Sequence, residues 1–88
     1  MAGPEYLAMY PDQPEGKKHL YGAITAMDEQ IGRLRKLLKD LGKEENTIIF
    51  FCSDNGPDDG LFRKGVASAG KLRGHKHQMY EGGIHVPS

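Results

Sequence analysis

Seven apolar residues, Leu20, Ile24, Met27, Ile31, Leu34, Leu38 and Leu41, recur at alternating steps of four and three between Lys17 and Leu41. At 3.6 residues per turn this spacing lines one face, so the segment is expected to form a long amphipathic helix. Gly42 supplies the left-handed residue that ends helices, and Lys36 and Lys39 suit the negative end of the helix dipole. After a polar turn comes Thr47-Ile48-Ile49-Phe50-Phe51-Cys52, a continuous run rich in β-branched and aromatic side chains. Such a run reads as a central parallel strand buried on both faces. Residues 84–87, Ile-His-Val-Pro, read as one further short strand. The fold class expected is therefore α/β. Yet one amphipathic helix and one fully apolar strand cannot cover each other's faces, and a buried parallel strand needs a neighbour on each edge. On that count the chain is expected to be an incomplete piece of a larger α/β domain.

The other segments carry turn chemistry. Residues 1–16 contain Pro4, Pro11 and Pro14 and read as an irregular lead-in, with Tyr6, Leu7, Met9 and Tyr10 as isolated apolar anchors. Residues 17–88 hold the rest of the organisation, and Asp58 to Lys76 reads as a long glycine-bearing loop. Lys plus Arg and Asp plus Glu number twelve each, so no net field recruits nucleic acid or an anionic membrane. No apolar run approaches the roughly 20 residues of a membrane span. Met1 opens no recognisable signal peptide. A single cysteine excludes an internal disulfide and any multi-cysteine zinc site.

Two places could carry chemistry. Asp54 and Asn55 follow directly on the expected strand, where open α/β sheets place ligands, and a carboxylate with an amide carbonyl suits a hard cation such as calcium. The alternative for an Asp-Asn-Gly triplet is a turn in which these side chains bond nearby backbone. Lys76, in Leu72-Arg73-Gly74-His75-Lys76-His77, offers a compact ammonium to a sulfate or phosphate oxygen, with glycines allowing close backbone approach. Its alternative is a solvated basic loop. His75 and His77 lack the further ligands that zinc requires. Gly65 to Lys71 matches the first seven positions of a phosphate-binding P-loop, but Leu72 stands where the magnesium-binding hydroxyl belongs, so chance explains the match better. Cys52 has no histidine nearby in sequence to activate it and reads as a buried structural thiol. The four-three stripe would also serve a coiled-coil pair, which leaves a helical interaction module as a rival reading.

The order of the pieces adds a further signal. Tyr21-Gly22-Ala23-Ile24-Thr25-Ala26-Met27-Asp28 with Ile31-Gly32-Arg33-Leu34 is followed by Asn46 to Phe50, and then by Ser53-Asp54-Asn55-Gly56. Leu72-Arg73-Gly74-x-Lys76 and Tyr80-Glu81-Gly82-Gly83-Ile84-x-Val86-Pro87 complete the series. In this order the motifs resemble the sulfatase family from about Lys17 onward. The resemblance implies an α/β sandwich of alkaline-phosphatase type, with Ca2+ at the carboxyl end of its sheet. It implies that Asp54 and Asn55 are calcium ligands, that Lys76 contacts the sulfate of a sulfate-ester small molecule or sulfated glycan, and that Arg73 and Glu81 shape the pocket. Family members use a formylglycine made within Cys/Ser-x-Pro-Ser/Ala-Arg. Cys52 and the serines here begin no such pentapeptide, so no catalytic residue is assigned. The nucleophile, the remaining calcium ligands and further sulfate contacts are expected in an upstream half of the domain. A phosphodiesterase or phosphonate-ester hydrolase is the close variant. The resemblance also points to an exported enzyme, periplasmic or extracellular.

Overall fold

The computed structural model describes residues 1–88, which divide into two compact units, Met1–Ile49 and Phe50–Ser88. All regular structure is helical: α1 Pro4–Leu7, α2 Glu15–Asp40, a 3₁₀ turn Glu44–Asn46, α3 Asp59–Arg63 and α4 Glu81–Ile84. No strand forms, which overturns the α/β expectation, including the α/β-sandwich architecture. The reason lies in backbone pairing. Between the Thr47 amide, which donates to Glu44, and the Ser53 amide, which donates to Pro87, no backbone amide in the apolar run finds a partner. Ile48 and Phe50 are 81% and 89% exposed. High β-propensity without an adjoining strand gives extended chain, because propensity expresses fit to a sheet that must already exist. The expected strand over 84–87 is replaced in part by α4, whose Ile84 and His85 amides donate to Tyr80 and Glu81 carbonyls.

Within the first unit α2 matches its sequence pattern closely. It stops through two bonds: the Gly42 amide donates to Lys39 O at 2.9 Å and the Lys43 amide to Leu38 O at 2.8 Å. Gly42 sits at φ +64°, the left-handed geometry that this paired-bond stop requires. Inside the lead-in, Pro4 at the first helical position starts α1, a single turn that packs on α2. The Tyr6 hydroxyl donates to Glu29 Oε2 at 2.5 Å. Thr25 Oγ1 spends its proton on Tyr21 O, so Tyr10 is the donor in the 2.6 Å contact between its hydroxyl and Thr25. The rings of Tyr10 and Tyr21 meet edge-on at 5.5 Å. Gly22 is the one buried residue of α2, because a Cβ there would lie 2.9 Å from Ala2 Cβ and 3.2 Å from Tyr6 Cβ.

No apolar side chain is buried in either unit, and Ile24, Met27, Leu34 and Leu41 of the α2 stripe remain exposed. Helix α2 therefore draws on its own hydrogen bonds and propensity more than on packing. Gly32 is then a weak point, since it lies mid-helix and a Cβ there meets nothing within 4 Å. Gly32→Ala is expected to stabilise α2 by about 1 kcal/mol. A rise in helical ellipticity, with a higher midpoint in urea, is the measurement.

Candidate functional site

All three residues singled out for binding, Asp54, Asn55 and Lys76, lie in the second unit. Glycine packing builds the ground beneath them. Gly82 and Gly83 are buried at the start of α4. A Cβ on Gly82 would collide with the Gly74 carbonyl oxygen and come within 2.7 Å of Arg73 O; one on Gly83 would collide with Gln78 O and lie 2.6 Å from His75 O. A Cβ on Gly56 would run into the carbonyl of Gly82. Three stretches of backbone, around residues 53–57, 73–78 and 80–87, thus meet main chain to main chain, an approach only glycine permits.

Hydrogen bonds fasten this seam. Gly56 N–H donates to Gly83 O at 2.9 Å, Ser53 N–H to Pro87 O at 3.2 Å and Gly82 N–H to Arg73 O at 2.7 Å. The bend at Asp54–Gly56 is closed by the Ser53 hydroxyl, which donates to Asn55 O at 2.9 Å, and not by an Asp54 or Asn55 side chain. Asp54 is exposed and Asn55 half-buried. Lys76 joins the same ground through its backbone, its amide donating to Pro57 O at 2.9 Å. Neither the Asp54 carboxylate, the Asn55 amide nor the Lys76 ammonium is consumed by a hydrogen bond or ion pair within the chain.

Calcium takes six to eight oxygen ligands, and this chain offers it two adjacent oxygen-bearing side chains. No three histidine, cysteine or acidic side chains gather where they could hold a metal. The donor chemistry of Asp54 and Asn55 fits calcium, but the residues present do not close a shell around it. Cys52 is exposed, not buried as expected, because no strand pairs with the apolar run it ends. Gly65 to Lys71 forms turns, with Gly65 and Gly70 at φ +65° and +64°, and no helix starts directly after Lys71 to present amides to a phosphate.

Asp59 was not singled out by the sequence reading. The loop expected over 58–76 contains α3, capped by the Asp58 carboxylate, which accepts from Gly60 N–H at 2.9 Å and Leu61 N–H at 3.3 Å. Asp59 Oδ1 accepts from Arg63 Nε at 2.7 Å and lies 3.1 Å from His75 Nε2. The signal was an Asp-Asp-Gly start followed by an arginine four residues after Asp59. The bonded Arg63 guanidinium holds the Asp59 carboxyl below its ordinary value, with the charges of Arg63, His75 and His77 adding to the effect against some burial. A lowered folded-state value gives stabilisation that is present above the unfolded carboxylate value and lost as pH falls through the folded one. Acidification is therefore expected to release Arg63 from Asp59, read as a pH-dependent shift of the Arg63 Nε–H resonance that Asp59→Asn abolishes.

Arg73 lies over the Tyr80 ring at 3.9 Å and donates to the Tyr80 hydroxyl at 3.0 Å. Its guanidinium is committed to bracing the seam.

A sulfatase family profile matches residues 4–88. The chain is 45% identical over 60 residues to an arylsulfatase of Clostridium perfringens, covering 65% of this chain and 12% of that protein. It is 31% identical over 85 residues to human arylsulfatase A, covering 97% of this chain and 17% of the relative. An N-acetylgalactosamine-6-O-sulfatase of Bacteroides thetaiotaomicron is 39% identical over 72 residues, covering 73% and 14%. No solved structure matches. The motif series, from the α2 pattern to the glycine seam, thus falls within a hydrolase family, and the chain belongs to the sulfatases. It spans 12–17% of the length of these relatives.

Proposed function

We propose that this chain is the part of a sulfate-ester hydrolase that helps to hold the sulfate group, with Lys76 contacting it and Asp54 and Asn55 serving as two ligands of a calcium ion. The observation that carries the reading is the 2.9 Å bond from Lys76 N–H to Pro57 O, which ties the lysine's backbone to the turn following Asp54 and Asn55. Family membership supports it, as do the unengaged polar ends of all three side chains.

A sulfate monoester anion needs positive charge at its oxygens while the sulfur is attacked. The Lys76 ammonium supplies one such charge, and its three donors can swing to fit. Calcium, when bound, supplies a second charge and Lewis acidity toward the sulfate oxygens. The oxygen-donor side chains of Asp54 and Asn55 suit that ion, and their bend is held by Ser53 and the Gly56–Gly83 bond. The chain contains no Cys/Ser-x-Pro-Ser/Ala-Arg sequence, so the attacking group comes from elsewhere in the working hydrolase. The substrate class is a sulfated small molecule or glycan.

Titration with inorganic sulfate, followed by 1H–15N NMR, tests the Lys76 assignment. Shifts centred on residues 74–78 are expected, abolished by Lys76→Ala and largely kept by Lys76→Arg. A response indifferent to Lys76→Ala would overturn the role. A stronger response to phosphate than to sulfate would move the substrate class to phosphate esters. No turnover of an aryl sulfate by this chain with added calcium is expected, and turnover would overturn placing the nucleophile elsewhere.

A further inference from the structure

Resting on the reading of Lys76 as the sulfate-contacting residue, we propose that Asp59 is a positioning residue for Lys76, acting through His75, which it holds against α3. The imidazole of His75 is 13% exposed and bound on every side that carries a polar atom. Its Nε2 lies 3.1 Å from Asp59 Oδ1, its Nδ1 lies 3.0 Å from the Lys76 carbonyl oxygen, and its ring packs on Phe62 at 5.1 Å between centroids. Asp59 and Phe62 both belong to α3, so that one helical turn presents a carboxylate and an aromatic ring to the same imidazole.

The consequence falls on the next residue. Lys76 has its amide fixed by Pro57 O and its carbonyl fixed by the His75 ring, so both polar groups of its backbone are occupied. Immediately after it the chain turns through His77 at φ +73°, a left-handed conformation that a non-glycine residue adopts only when its surroundings hold it there. A lysine side chain is long and flexible, so the ammonium is placed by where its Cα is anchored. Asp59 supplies the only carboxylate in contact with His75. It also bonds Arg63, the last residue of α3, which makes no hydrogen bond or ion pair with residues 75–77, so its two partners can be separated by mutation.

The test uses the whole chain and two independent readouts, hydrogen exchange at the Lys76 amide and the sulfate-induced shifts described above. Asp59→Ala is expected to speed exchange at Lys76 about tenfold, the equivalent of one lost hydrogen bond. The sulfate response should weaken in parallel. Asp59→Asn keeps an acceptor oxygen for His75 and should restore most of both. His75→Ala should reproduce Asp59→Ala, whereas Arg63→Ala should leave Lys76 exchange near its starting rate. Unchanged Lys76 exchange in Asp59→Ala, an equal effect from Arg63→Ala, or no protection of that amide in the unsubstituted chain would each overturn the proposal. Failure of the Lys76 reading looks different: sulfate then shifts nothing at residues 74–78 while exchange still responds to Asp59.

Discussion

Gly82→Ala is expected to dismantle the seam of the second unit, costing about 3 kcal/mol, the upper range for forcing extra volume into a filled space. The new methyl would sit against the carbonyl oxygens of Gly74 and Arg73 and 2.8 Å from the Gly74 carbonyl carbon. These are backbone atoms, so no side-chain rotation relieves the clash. Gly83→Ala meets Gln78 O and His75 O in the same way. Because the unit has no buried apolar side chain, no core resists the opening. The protection of the Gly56 and Gly82 amides against hydrogen exchange should vanish, as should that of Lys76, while residues of α2 keep theirs. A Gly82→Ala chain whose amides in residues 53–57 and 73–83 exchange as slowly as before would sink the argument.

The second large effect concerns association. Ile48 to Phe51 is an uncharged stretch outside any helix, with amides unpaired within the chain and exposed aromatic side chains, the combination that recruits strands from other copies. Self-association that rises with concentration is expected, with β-type ellipticity appearing as it does so. Ile48→Lys with Phe50→Lys places two charges on one side of the stretch and should raise the concentration at which association begins by an order of magnitude. Sedimentation across a concentration series measures it. A discrete helical dimer unaffected by the two lysines would instead assign association to the exposed stripe of α2, where Ile24, Met27, Leu34 and Leu41 lie.

The two halves of the chain differ in how far their sequence could be read, and the difference is physical. Helix α2 was legible because its hydrogen bonds close within the segment, so spacing, Gly42 and the terminal lysines suffice to place it. The run Thr47 to Cys52 misled for the opposite reason: a strand's bonds close on another segment, and its composition says nothing about whether that segment is present. Helix α4 was missed because Glu81-Gly82-Gly83-Ile84 has poor helix propensity, and only the backbone contacts of its glycines hold it in that turn. Asp59 was passed over because its weight comes from His75, sixteen residues away, and sequence distance hides such a contact.

By itself the sequence determined the long helix and its stop, the family, and the three side chains with chemistry suited to a cation and an anion. Each of these depends on residue identity and local spacing. Tertiary structure alone decided that the apolar run stays unpaired, that three glycines bring three backbone stretches into contact, and that Asp59 reaches His75. Those outcomes depend on which distant groups are within reach to complete a hydrogen bond or fill a space, and no local pattern encodes that.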